Sequence, residues 1–161
     1  MRELTICEVN PQGEDALGLL RLAAAEACAL YPELHNPNAP EPTNDPTPPL
    51  GIYLIAYLEG QPVAMGAHRP LDRKTTEIRR MYVRQEARRL GAARRILAAL
   101  EAHAGQMGFA FMRLETGFRQ LPAMRLYEDY GFRRIEPVGQ YASDPTSVCY
   151  ERAIACATSD A

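Results

Sequence analysis

The stretch from Thr76 to Leu97 constrains this chain more than any other. TTEIRRMYV has the β-branched and aromatic residues of a strand, RQEARRLGAA reads as a tight basic turn, and RRIL opens a helix. A strand that passes through a small-residue turn into a helix offers backbone N–H groups and the positive end of the helix dipole to whatever lies above the turn. Arg88-Arg89-Leu90-Gly91-Ala92-Ala93 puts its small residues at that turn, which predicts a cradle for an anionic phosphate group. Small residues there would also suit close helix–strand packing with no ligand. The cations Arg88, Arg89 and Arg94 around them favour the ligand.

At 161 residues the chain has the length of one domain, and a single domain over residues 1–161 is expected. Hydrophobic residues at 47% and charged residues at 24% match folded globular chains and exclude a disordered or fibrous class. A net charge of −2 argues against general nucleic-acid binding, which needs a basic excess to displace phosphate counterions. Positive charge is local instead, with seven arginines between Arg79 and Arg95 against one acid, Glu86. That concentration suits a small polyanion better than a duplex. Cys7, Cys28, Cys149 and Cys156 share no CxxC spacing and read as reduced thiols. His35, His68 and His103 share no ligand spacing with them or with one another, so no metal is expected. No segment approaches the ~20 apolar residues of a membrane span, and MRELTICEVN lacks the basic start and apolar core of a leader. A soluble, cytoplasmic protein without a membrane partner is the expectation.

Arg2 to Val9 alternates as an opening strand, and from Asp15 to Leu30 the repeat Leu17, Leu20, Ala24, Ala27 predicts an amphipathic helix. Tyr31 to Leu50 holds seven of the thirteen prolines, so it must be a loop or an extended arm. A loop of that length is either a functional lid or a surface excursion. Ile52 to Leu58 and Val63 to Arg69 read as a hairpin turning at Glu59-Gly60-Gln61-Pro62. After the basic turn, Ala93, Ile96 or Leu97, Leu100, Ala104 and Met107 line one helical face, and Phe109 to Thr116 completes a strand–helix–strand unit with parallel strands. Pro122 opens a shorter helix that Gly131 closes with Phe132 as packing partner, before final strands at Phe132 to Glu136 and Ser147 to Ile154 and a frayed tail from about Ala155. The class is α+β, a mixed sheet of about six to seven strands flanked by helices.

Two nucleotide signatures are missing: no GxxxxGK[ST] for a triphosphate with magnesium, and no GxGxxG after the first strand. A pyrophosphate held without metal remains. The RxxGxA of Arg88 to Ala93 resembles the acetyl-CoA signature [QR]xxGx[GA] of the GNAT N-acetyltransferase superfamily, and Ala123-x-x-Leu126-Tyr127-x-x-x-Gly131-Phe132 is similar to its C-terminal motif. The resemblance covers roughly Leu50 to Ile154. It implies a splayed sheet with the pantetheine arm of acetyl-CoA between Glu77–Val83 and Ala110–Thr116. It also implies backbone groups of Met81, Tyr82 and Val83 on the pantetheine, and N–H groups from Arg89, Leu90, Gly91, Ala92, Ala93 and Arg94 on the pyrophosphate. Gln120 stands where many members carry an asparagine.

Such a family moves an acetyl group directly to a primary amine, which must lose a proton while the departing thiolate gains one. Tyr127 resembles the tyrosine that protonates the thiolate; outside the family it would read as one more residue of an apolar helix face. Glu77 stands where several members carry a carboxylate that acts on the amine, and it reads equally as a solvated strand-end charge. Arg80, if it points into the acceptor cleft, favours a carboxylate-bearing acceptor; the plainer reading pairs it with Glu115 on the neighbouring strand. Alternation puts Arg80 opposite Glu77 unless a bulge intervenes. Glu115, Thr116, Tyr141 and the arm from Tyr31 to His35 complete the candidates for the acceptor pocket. The expected acceptor is a small-molecule amine, with a peptide N-terminus or lysine, or a non-catalytic acyl-CoA sensor, as alternatives. A homodimer is compatible with the sequence.

Overall fold

The apolar run Ile52–Leu58 is buried on both faces, as a continuous hydrophobic strand inside a covered sheet must be. In the computed structural model, which describes residues 3–137 and 139–155, the chain runs β1 (Leu4–Glu8), α1 (Glu14–Leu30), β2 (Ile52–Leu58), β3 (Gln61–Pro70), β4 (Thr75–Val83), α2 (Ala92–Gln106), β5 (Phe111–Gly117), α3 (Leu121–Tyr130), β6 (Arg133–Ile135) and β7 (Ser147–Ala153). The strands form one seven-stranded mixed sheet in the order β1-β2-β3-β4-β5-β7-β6. Only β4 and β5 are parallel. The expected mixed sheet with its strand–helix–strand unit is therefore what forms. Arg2 and residues 156–161, including Cys156, lie outside the described residues.

Each face of the sheet has its own core. Leu54, Ala56, Ala64, Ile78, Met112 and Leu114 meet Ile96, Leu97 and Leu100 of α2 and Tyr127 of α3 on one side. Tyr53, Ile55, Met65 and Ala67 meet Ala16, Leu19 and Leu20 of α1 on the other. The buried stripe of α1 differs from the expected Leu17–Leu20–Ala24–Ala27: Ala27 is exposed. The C-terminal half of α1 borders a cleft, with Ala27 in its lining. Gly66 is required where α2 crosses β3, because a Cβ there would stand 2.6 Å from Ile96 Cγ2 and 2.7 Å from Met81 Sδ. Glu101 fastens α2 to its neighbours, accepting from Tyr130 Oη at 2.7 Å and Arg152 Nε at 3.2 Å. Among the described residues no helix is long and apolar enough to cross a membrane.

A buried histidine bridges the sheet and α2. His68 Nδ1 lies 2.7 Å from Thr76 Oγ1 and its Nε2 2.9 Å from His103 Nδ1, with the Phe109 ring edge-on. Burial, with His103 adding its charge, lowers its pKa from 6.5 to about 4. The unfolded chain binds this proton near pH 6.5 and the native fold refuses it until about 4, so its contribution is complete above 6.5 and fades as pH falls toward 4. Urea unfolding should show a loss of about 3 kcal/mol across that window. In His68→Gln that slope should flatten.

Candidate active site

The cleft exists because β4 and β5 stop pairing. Their register runs only from Thr75 opposite Phe111 to Glu77 opposite Arg113, after which the strands part. On its other edge β4 carries a bulge, since Ala67 pairs with Arg79 but Met65 with Tyr82. Arg80 takes a left-handed φ of 62° there. Past the bulge Arg84 N–H donates to Val63 O at 2.8 Å, so antiparallel alternation turns Tyr82 toward β3 and Met81 and Val83 toward the opening. Of the three residues expected to track the pantetheine, Tyr82 thus has its backbone committed to the sheet.

Between the parted strands lies a cavity of about 310 Å³. Ile78, Arg79, Arg80 and Met81 form one wall, Leu114, Glu115, Thr116 and Gly117 the other. Tyr127, Ala123 and Gln120 of α3 and its N-cap close one end, and Ala27, Tyr31 and Leu34 close the other. Tyr127 is propped by edge contacts with Phe132 at 5.8 Å and held near Tyr150 at 6.1 Å. Those contacts follow from Gly131, whose φ of 113° ends α3 and turns Phe132 back onto it. The Tyr127 phenol has no hydrogen bond within the described residues, although no fully buried side-chain polar atom there goes unpaired. Its hydroxyl therefore faces the cavity. Burial, and secondarily the Glu115 charge, pushes its pKa upward and keeps it protonated.

The turn expected to cradle an anion leads from β4 into α2. Gly91 is the N-cap of α2 with a φ of 78°, the left-handed region glycine occupies without strain, and Arg89 shares it at 69°. No side chain caps the helix, and its first internal bond is Arg95 N–H to Gly91 O, so the N–H groups of Ala92, Ala93 and Arg94 have no intrahelical partner. Arg88 does not present its side chain to the cradle: it donates to Glu26 at 2.5 Å and to Val83 O at 3.0 Å. Leu90 is exposed beside the turn, and Arg94 lies over the Tyr130 ring.

The charged candidates separate. Glu77 is buried, 3.0 Å from Arg69 Nε and 3.8 Å from Arg79 Nε. With Arg69, Arg113 and Tyr141 it lines a second cavity of about 330 Å³, so neither Glu77 nor Tyr141 joins Tyr127. Glu115 does share the Tyr127 cavity, held by Ser147 Oγ–H at 2.7 Å. Burial pushes its pKa upward, Asp144 and Glu77 add to the rise, and the Ser147 bond opposes it. The expected Arg80–Glu115 pair is absent: Arg80 Nε donates to Asn44 Oδ1 at 2.8 Å. The bulge is the reason, because it breaks alternation and sends Arg80 to the α1 face beside Tyr53.

Asn44 was not foreseen. It is the latch of the proline-rich segment, donating from Nδ2 to Pro11 O at 2.8 Å and Tyr53 Oη at 3.2 Å, while its own O accepts from Gln12 Nε2 at 2.9 Å. No local pattern marks it, since Pro11 and Arg80 lie 33 and 36 residues away.

The sequence profile described as "Acetyltransferase (GNAT) family" matches residues 19–132. The chain belongs to the GNAT acetyltransferase family. It is 37% identical over 93 residues to the uncharacterized N-acetyltransferase YsnE of Bacillus subtilis, covering 56% of this chain and 62% of that protein. It is 34% identical over 102 residues to the IAA acetyltransferase of Azospirillum brasilense, covering 62% and 66%. The match thus spans just under two thirds of the length of these curated relatives. A Klebsiella pneumoniae structure provisionally named an acyl-CoA N-acyltransferase superposes with a TM-score of 0.77 at 29% identity, covering 94% of this chain and 98% of that one. A GNAT acetyltransferase from Elizabethkingia anophelis, solved with acetyl-CoA bound, shares the fold at 18% identity and a TM-score of 0.64, covering 93% and 97%.

In this GNAT chain, Asn44→Ala should release the latch at a cost of about 1–3 kcal/mol. Hydrogen exchange should rise across residues 31–50 while α2 keeps its protection; an unchanged segment would show that the prolines alone hold it.

Proposed function

We propose that this chain is an acetyl-CoA-dependent N-acetyltransferase that moves an acetyl group directly to the primary amine of a small molecule. One observation carries the reading: a protonated phenol with no hydrogen-bond partner among the described residues faces the gap between two parted strands, the first of which leads on into an uncapped helix N-terminus. The residues present fit the co-substrate. Open N–H groups of Ala92, Ala93 and Arg94 suit its pyrophosphate, the turned-out N–H groups of Met81 and Val83 suit its pantetheine amides, and a Cβ at Gly91 would meet only open space on the protein side. Gln120 lines the same cavity and has its side chain free for the pantetheine. Among the described residues no group of three side chains is arranged to hold a metal.

Acetyl-CoA would supply a thioester whose acyl carbon forms a bond to the amine nitrogen as its bond to sulfur breaks. Two protons must move on the protein's side. Glu115 Oε accepts the one the amine gives up, and Tyr127 Oη donates one to the leaving sulfur before regaining it from solvent. Glu115 suits the first role because its raised pKa brings it nearer to that of an amine, and because it lies in the Tyr127 cavity. Glu77, expected as the base, is instead tied to Arg69 and Arg79 and positions those cations.

Acetyl-CoA should raise the melting temperature of the protein in a concentration-dependent way. Ala93→Glu separates a cradle from a packing position. A carboxylate in the first turn suits the helix dipole and should leave stability level or higher, while repelling a pyrophosphate and weakening acetyl-CoA at least ~10-fold. Equal affinity in that variant would remove the cradle.

In free-thiol release assays with amine acceptors, Tyr127→Phe should lower kcat on the order of 100-fold with little change in acetyl-CoA affinity. The kcat/KM of the parent should rise with pH through the Glu115 titration, because the base acts when deprotonated, and Glu115→Gln should remove that limb. A limb that survives in Glu115→Gln and disappears in Glu77→Gln would return the role to Glu77. Acetyl-CoA binding without turnover on any amine would indicate a sensor.

A further inference from the structure

Two arginines at the bulge set an electrostatic imbalance. Arg69 and Arg79 share the Glu77 carboxylate, whereas Arg80 has no ion pair within 4.0 Å among the described residues. It is half-buried, and its one hydrogen bond goes from Nε to the neutral amide of Asn44. Arg79 and Arg69 repel it, and Asp45 and Tyr53 draw it only at longer range. The terminal guanidinium nitrogens of Arg80, on a side chain that lines the cavity, are thus left without a protein acceptor. Across the gap on β5 stands Glu115, whose one hydrogen-bond partner among the described residues is the Ser147 hydroxyl, with Thr116 beside it. One wall therefore carries an uncompensated cation and the other an uncompensated carboxylate, and Tyr127 lines the same cavity.

We infer that the acceptor is an amino acid bound as its zwitterion, its carboxylate on Arg80 and its ammonium against Glu115, which takes the first of the two protons the nitrogen must lose, the second passing to water as the acyl–nitrogen bond forms. This rests on the N-acetyltransferase reading above. A guanidinium whose Nε is already engaged still offers two parallel N–H donors, the fork that a carboxylate accepts in bidentate fashion. Asn44 fixes the plane of that fork, so the proline-rich segment serves recognition by orienting Arg80. The opposite charges also set direction, since an acceptor that places its carboxylate on β4 presents its nitrogen to the base on β5. A neutral amine satisfies one wall and leaves Arg80 unpaired. A peptide N-terminus has an amide where the free carboxylate would be and does the same.

The test uses the full chain with acetyl-CoA and three matched acceptor sets: the free proteinogenic amino acids, their C-terminal amides, and their decarboxylated amines. Phosphoethanolamine is added as an amine with a different anion. At least one amino acid should exceed its amide and its amine in kcat/KM by roughly 10- to 100-fold, the worth of a hydrogen-bonded charge pair. Arg80→Lys, which keeps the charge and loses the fork, should remove most of that preference through KM while acetyl-CoA affinity holds. Asn44→Ala should lower the preference less. Amides or amines that match every amino acid would overturn the inference and leave the acetyltransferase reading standing, as would phosphoethanolamine outperforming them all. A preference that persists in Arg80→Lys would also overturn it. If acetyl-CoA neither shifts the melting temperature nor supports thiol release with any acceptor, the parent reading fails and this one with it.

Discussion

Backbone N–H and C=O groups in the middle of a sheet are ordinarily all paired, and leaving them unpaired in an apolar setting is costly. Here β4 and β5 pair through Glu77 and Arg113 and then separate, so the centre of the sheet holds a gap. The bulge at Arg80 turns the far end of β4, and Gly66 opposite it admits Met81 and Ile96 into the space a Cβ would fill. At the end of β5, Tyr31 Oη accepts from Arg119 N–H at 2.9 Å and wedges the terminus of α1 against the strand. Tyr127 fills the opposite side, braced by Phe132 and Tyr150. Within the described residues the groups of Met81 and Val83 that face the gap are left to water or to another molecule with hydrogen-bonding groups of its own.

Charge is laid out around that gap in two parts. At the turn from β4 into α2 the positive charge comes from main-chain donors and a helix dipole, and the arginine that marks the motif, Arg88, is committed to Glu26 and Val83 O. Its side chain ties that turn to α1 and to the end of β4. Elsewhere along the gap three arginines meet one buried carboxylate that serves two of them: Glu77 compensates Arg69 and Arg79, while among the described residues Arg80 is braced only by Asn44. Glu115 and Tyr127 sit beyond them, both pushed upward in pKa by burial. Removal from water is what shifts both groups, one a carboxyl and one a phenol, in the same direction.

Much of the fold was legible in the residues because its signals are local. Periodicity placed the strands and helices, Pro122 and Gly131 bracketed α3, and small residues after β4 marked the uncapped start of α2. Residues recognised through backbone conformation, such as Gly91 and Ala93, were therefore visible in the sequence. Alternation failed where the backbone itself departs from regularity. The left-handed φ at Arg80 comes from the sheet register across β3, which no property of an arginine announces.

The order of elements, the uncapped start of α2 at Gly91 and the place of Tyr127 on the third helix were determined by the sequence alone, since each depends on neighbours within a few residues. Which carboxylate faces that phenol was decided only in three dimensions. Glu77 and Glu115 are equivalent on paper, two acids on adjacent strands, and the divergence of those strands sends one to Arg69 and Arg79 and the other to Tyr127. The latch of the proline-rich segment was likewise decided there, because Asn44 draws its partners from β2, β4 and the turn before α1. Contacts between residues more than thirty positions apart are set by how the sheet twists and parts, and a linear pattern carries no record of that.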